Sequence, residues 1–331
     1  MSAESTTAFL SHLDENTRDR FIETKAAPGI SVTELTQTTD SEPPGMEVPY
    51  LHYFPFDEAT DASKKMYSTI ETGDLDAVKT LLKDEDYHTN PNDRSQALAK
   101  AVDSQHLSIV QYLLSEGADI DRLVLAAAAE AKSIPIFELM LQAGWDVNAP
   151  MFGGCTMLAS LTGSASLVTW FLQHGADPNL GPPRTGSSSE ATPIPNSGVC
   201  LYEATASSTT EVVGLLIEAG ATVEDGTPFH AAVRRGQDAI PMLRYLLDLP
   251  SISGIDINCL ADQRDPFSVG TPLESVIRHG VRSDSVAIAR FLLENGADPH
   301  PDGRPGIDVF GEPVRSQLEE VHQQWRLRQE K

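Results

Sequence analysis

Nine histidines, three cysteines and 48 acidic side chains are the groups of this 331-residue chain that could coordinate a metal or move a proton. No histidine stands four positions from another and no Cys-X-X-Cys occurs. The spacings that place two metal ligands together are therefore missing, and no metal and no cofactor are expected. Cys155, Cys200 and Cys259 lie far apart in sequence, and each reads as a small buried or half-buried residue rather than a reactive thiol. Glu71, Asp74 and Asp76 crowd one short stretch, which suits the capping and solvation of a turn between helices. A catalytic carboxylate pair needs a closed pocket to shift its pKa values, and the sequence shows none. There is no Gly-rich phosphate loop ending in Lys-Ser/Thr, no Gly-X-Ser-X-Gly nucleophile turn and no kinase signature set. A non-enzymatic role is expected.

The charge balance narrows the partners. With 24 basic against 48 acidic residues the formal net charge is −24. Nucleic acid is excluded as a partner, because phosphate binding needs clustered Lys and Arg to displace counterions. Such a charge either serves solubility alone or steers a partner with a basic surface toward the chain. Cysteines without close pairs and the lack of any Asn-X-Ser/Thr sequon favour a reducing, intracellular setting, cytoplasmic or nuclear. The apolar run at 123–129 is too short to span a bilayer, and the N-terminus has no basic stretch leading into an apolar one, so no membrane is expected as a partner.

The scaffold is legible as a repeat. Seven times a pair of apolar residues is followed four positions later by another: Ala77/Val78 and Leu81/Leu82, Ile109/Val110 and Leu113/Leu114, Ile136/Phe137 and Met140/Leu141, Leu167/Val168 and Phe171/Leu172, Val212/Val213 and Leu216/Ile217, Met242/Leu243 and Leu246/Leu247, Ile288/Ala289 and Leu292/Leu293. Successive closing pairs are 32, 27, 31, 45, 30 and 46 residues apart, and a period near 30 marks a solenoid. Apolar residues at i, i+1, i+4 and i+5 form one stripe on a helix. A unit this small cannot bury its own stripe and must stack on its neighbours.

The residues around each stripe resemble the ankyrin-repeat family. Gly117-Ala118-Asp119, Gly175-Ala176-Asp177-Pro178-Asn179 and Gly296-Ala297-Asp298-Pro299 are similar to its helix-ending signature, with Gly144-Trp145-Asp146-Val147-Asn148 and Gly220-Ala221-Thr222-Val223 as looser copies. Gly226-Thr227-Pro228-Phe229-His230-Ala231-Ala232 resembles its helix-opening motif. Gly270-Thr271-Pro272-Leu273 repeats the first half of that motif, with Glu274 where the histidine would stand. Glycine suits the left-handed position after a helix, threonine its N-cap and proline its first turn. The implied fold is an all-α ankyrin solenoid of stacked helix-turn-helix units with hairpin-like fingers. Three segments are expected: an acidic arm over 1–60, about seven irregular repeats over 61–310, and a capping helix over 311–331. In the arm, residues 5–25 suit a short amphipathic helix, and the aromatic segment 48–56 suits a cap on the first repeat or a partner-binding peptide. Folded back along the groove, the arm would compete with a partner.

Two stretches break the period. Residues 180–197, rich in Gly, Pro and Ser, read as a flexible loop, and 250–270 are a second expansion. Between them only ten residues separate Leu216 from Thr227, so two long fingers flank a clipped one.

The resemblance implies a concave face of fingers and inner helices that binds another protein. Its candidate anchors here are Trp145, Met151, Phe152, Arg184, Arg234, Arg235, Arg264 and Phe267, of the residue types that dominate interface energetics. For Trp145 and Phe152 the alternative is packing between fingers, and for Arg234 and Arg235 a solvated helix end. His230 is expected to bridge neighbouring repeats, as the family's motif histidine does. Asn148, Asn179 and Asn258 occupy or approximate a finger position hydroxylated in some relatives, the alternative being a turn-forming role. An adaptor, scaffold or inhibitor is the leading expectation, and a catalyst or small-molecule carrier using the groove is the alternative.

Overall fold

The computed structural model describes residues 61–83, 93–182, 192–250, 255–260, 270–278, 284–300 and 306–330. All of these fall in the second of two units, Tyr53–Lys331. The expectations for the arm over 1–60, including the aromatic segment 48–56, lie outside the described residues.

Helices follow the predicted stripes in pairs. They are α1 (Asp61–Glu71) with α2 (Leu75–Leu81), α3 (Asp93–Asp103) with α4 (Leu107–Ser115), α5 (Arg122–Ala131) with α6 (Ile134–Gln142) and α7 (Met157–Ser160) with α8 (Ala165–Gln173). Then come α9 (Val199–Ser207) with α10 (Thr210–Glu218), a short α11 (Val223–Gly226), α12 (Pro228–Val233) with α13 (Ala239–Asp248), α14 (Pro272–Arg278) with α15 (Ser285–Glu294), and α16 (Val314–Gln329). The first helices of the pairs stack in one row, α1 on α3, α3 on α5, α5 on α7, α7 on α9, α9 on α12 and α12 on α14. The second helices form the other row, and α16 closes the stack against α15. The only β-bridge among the described residues is antiparallel, Gly181 to Ile194.

Burial accounts for the spacing. In the second to seventh pairs both residues of the opening doublet and the first of the closing doublet are buried, as in Ile109, Val110 and Leu113. Each such stripe fills the space between two rows and two neighbours. The glycine after a second helix takes positive φ at Gly117, Gly144, Gly175, Gly220 and Gly296. The next amide then turns back to satisfy a helix carbonyl, as Ala176 N–H does to Phe171 O at 3.0 Å.

One expected cap is different. Thr227 adopts φ +38° and its hydroxyl caps nothing. The clipped finger has become α11, so Thr227 must end one helix and begin the next, and the left-handed conformation reverses the chain between them. Thr271 behaves as expected. Its hydroxyl accepts from Glu274 N–H (3.3 Å) while Glu274 Oε2 accepts from Thr271 N–H (2.7 Å). Glu274, standing at the histidine position, thus completes a reciprocal capping box.

Candidate partner-binding face

Each first helix buries its sides against its neighbours and its back against the second row, which leaves one strip less covered. On α3 that strip is Gln96, Lys100 and Asp103; on α5 it is Ala126 and Glu130; on α9 it is Tyr202, Glu203 and Ala206. The N-terminal part is internally satisfied. Tyr67 Oη donates to Gln96 Oε1 (2.6 Å), and Lys100 Nζ sits 2.7 Å from Glu71 Oε1.

The α9 part is not. Arg234, at the end of α12, donates from Nη1 to Tyr202 Oη (3.0 Å), with its guanidinium carbon 5.9 Å from that ring's centroid. Glu203, half-buried beside them, has no cation within 4.0 Å and accepts no hydrogen bond at its carboxylate among the described residues. Burial raises its pKa above the ordinary 4.5, and Arg234 works in the opposite direction. Burial likewise pushes the thiol of Cys155 above 9.0 and that of Cys200 to about 12, with Glu203 adding to both.

The anchors predicted from sequence separate. Trp145 is a correction: it is 8% exposed and lies inside, its ring centroid 6.3 Å from Phe137 and 6.2 Å from Phe171. Its main chain forms the turn after α6, N–H to Met140 O at 3.0 Å, which turns the side chain inward. Met151 is half-buried, and its N–H closes the finger onto Cys155 O (2.7 Å). Phe152 opens a single 3-10 turn, Phe152–Gly154. Arg234 is exposed, whereas Arg235 is drawn in, donating to Thr205 O (2.9 Å), and burial lowers its pKa. Arg184, Arg264 and Phe267 lie outside the described residues, and so does the notch expected between them. Residues 180–182 and 192–197 are joined by the Gly181 to Ile194 bridge and by Ser197 Oγ donating to Pro182 O (2.8 Å).

The asparagines act between repeats. Asn148 donates to Gly175 O and accepts from Asp177 N–H, both at 2.9 Å. Asn179 does the same with Gly220 O (2.9 Å) and Thr222 N–H (2.7 Å), and Asn258 with Gly296 O (3.0 Å) and Asp298 N–H (2.7 Å). His230 Nε2 reaches Gly270 O at 2.9 Å in the same manner. Asn179→Ala therefore removes a repeat-to-repeat staple and leaves the partly buried Thr222 N–H unmet. A loss of about 2 kcal/mol is expected in urea denaturation.

Thiol chemistry follows from burial. Because the thiolate is the nucleophile, Cys200, 1% exposed, should resist a thiol reagent at pH 8 until the chain unfolds. Its raised folded-state value favours the native state while the unfolded thiol is neutral. That contribution is complete below pH 9.0 and is lost as pH rises toward 12. Fast native labelling of Cys200 would contradict this placement.

Tyr202 and Glu203 were not anticipated. The fifth repeat lacks the Thr-Pro opener, having Gly198-Val199 instead, so nothing fixed the phase of its first helix. The usable signal was the burial pattern implied by Cys200, Leu201, Ala204 and Thr205, which leaves 202, 203 and 206 on the other side.

A family model described as ankyrin repeats (3 copies) matches residues 60–124. No curated protein matches the chain. Among solved structures the chain is similar to the ankyrin repeat domain of Bcl-3, a unique member of the IkappaB protein family, at 24% identity, covering 68% of this chain and 97% of that one with a TM-score of 0.47. It is similar to a chain of the Bd0816 predatory endopeptidase from Bdellovibrio bacteriovorus in complex with immunity protein Bd3460, at 18% identity, 59% and 97% coverage and a TM-score of 0.40. A third likeness is to the human ASB11 ankyrin repeat domain, at 18% identity, 77% and 96% coverage and a TM-score of 0.35. No described helix is long and apolar enough to cross a membrane.

Proposed function

We propose that this chain, whose residues 60–124 match a model of ankyrin repeats, binds another protein along the strip of its first helices, acting as an adaptor, scaffold or inhibitor. The observation that carries the reading is the less covered strip of residues on α3, α5 and α9, on a stack whose repeats are locked together by Asn148, Asn179, Asn258 and His230. A pre-ordered face loses little entropy on binding. In this reading the partner presents a basic surface, since a net charge of −24 steers cations toward the chain and repels anions. Arg184, Arg264 and Phe267, in the two expanded segments, are proposed as further contacts for the partner.

The small-molecule alternative gains no support from the cleft bounded by Arg234, Ser275, Asp284 and Ser285, whose volume of about 10 Å³ suits a single water. The test is affinity capture from source cells, read by quantitative mass spectrometry. Ala126→Trp with Ala206→Trp fills the strip without touching the core. Loss of at least tenfold in a captured protein, with the melting temperature unchanged, is expected. Capture equal to wild type would remove the strip from consideration, and the Arg184, Arg264, Phe267 triple alanine variant tests the expanded segments in the same assay.

A further inference from the structure

We propose that Glu203 is the acceptor for one lysine or arginine side chain of the partner protein, an inference that rests on the first-helix strip being the binding face.

The strip's other charged groups have companions or open water: Asp103 lies 3.8 Å from Lys100 Nζ, and Glu130 is exposed. Lys100 is held by Glu71, and Arg234 is committed to the hydroxyl and ring of Tyr202. Glu203 differs in being half withdrawn from water with neither a hydrogen bond nor an ion pair at its carboxylate among the described residues. An ionised carboxylate in that position gives up hydration and receives in return only the attraction of Arg234 from beyond ion-pair distance, and the raised pKa records the net loss. The thiols of Cys155 and Cys200 beside it stay neutral and supply no counter-charge.

Two opposite ligands suggest themselves, a cation for Glu203 or an anion for Arg234. The physics favours the cation. Arg234 is exposed and already donating, so a pair formed with it is worth little against solvent screening. A desolvated, unpartnered carboxylate gains more from a counter-ion, because part of its hydration is already lost. The charge of −24 points the same way. Tyr202 on one side and Ala206 one turn along α9 provide an aromatic and an aliphatic surface for the methylene stem that a lysine or arginine brings. Arg234 stands as a repulsive element against a second cation, so a single basic residue is selected at this point, not a basic run.

The test uses the full chain and a random dodecapeptide library displayed on phage. Peptides selected on wild type are synthesised and titrated against wild type, Glu203→Gln and Ala206→Trp. The expected result is that they share a lysine or arginine. Its replacement by alanine should weaken binding at least tenfold on wild type and less than twofold on Glu203→Gln. Glu203→Gln should keep the wild-type melting temperature, since the carboxylate makes no bond within the fold. Equal losses on both proteins, with Ala206→Trp still blocking, would overturn the role of Glu203 and leave the face standing. Peptides that bind Ala206→Trp as well as wild type, or a library that yields no binder, would overturn the face itself. A melting temperature lowered by more than about 5 °C in Glu203→Gln would assign the residue to the scaffold and also overturn the proposal.

Discussion

Gly198→Ala is expected to lose about 3–5 kcal/mol of stability, enough to unfold the middle repeats of a domain of ordinary stability. Gly198 caps α9 with φ +68°, where an L side chain costs about 1–2 kcal/mol. A methyl group there would also overlap the carbonyl of Asp225 and crowd the amide of Gly226. Both are backbone atoms of α11 and cannot swing aside as a side chain would. The same junction brings Gly226 against Leu201, so α9 and α11 approach as closely as glycine allows. Gly117→Ala is the control. It shares the positive φ, at +78°, but a Cβ there meets nothing within 4 Å, so only the backbone cost of about 1 kcal/mol remains. Urea denaturation followed by far-UV circular dichroism separates the two. Equal losses would mean that the close approach at Gly198 does not exist.

Phe171→Ala should cost about 3–5 kcal/mol by the same measurement, because it empties the centre of the junction between the third and fourth repeats. Phe171 is fully buried, with ring centroids 4.9 Å from Phe137, 5.1 Å from Trp170 and 6.2 Å from Trp145. Large aromatic rings, not close helix contacts, fill this junction, so truncation leaves a void that neighbouring helices cannot close. Phe171→Leu keeps most of the volume and is expected to cost about 1–2 kcal/mol. Trp145 and Trp170 make the change visible in fluorescence. An alanine variant as stable as wild type would contradict the aromatic packing.

The fold was legible because each level of the sequence repeats the same instruction. The doublets fix helix phase, the glycines fix where helices end, and Thr271 with Glu274 fixes where one begins. Trp145 shows how a legible signal can be misread. Alanine holds the register after the glycine at 118, 176, 221 and 297, and all four are buried. Trp145 occupies that register too, so its burial was written in the repeat, while its residue type suggested an exposed anchor. Thr227 was misread for another reason. Its motif is intact, but the clipped finger in front of it changes the backbone it must join, and that is a property of two segments together. Glu203 carries no motif at all. Its isolation emerges only when α7, α9 and α12 stack and Arg234 turns to Tyr202.

A partner is expected to bind on the strip over α3, α5 and α9. Amide hydrogen exchange of the full chain, with and without the protein it captures, reads this directly. Protection is expected on those first helices and at the end of α12, with α4, α6 and α10 unchanged. Protection confined to the second helices, with the first row exchanging as in the free chain, would contradict the account.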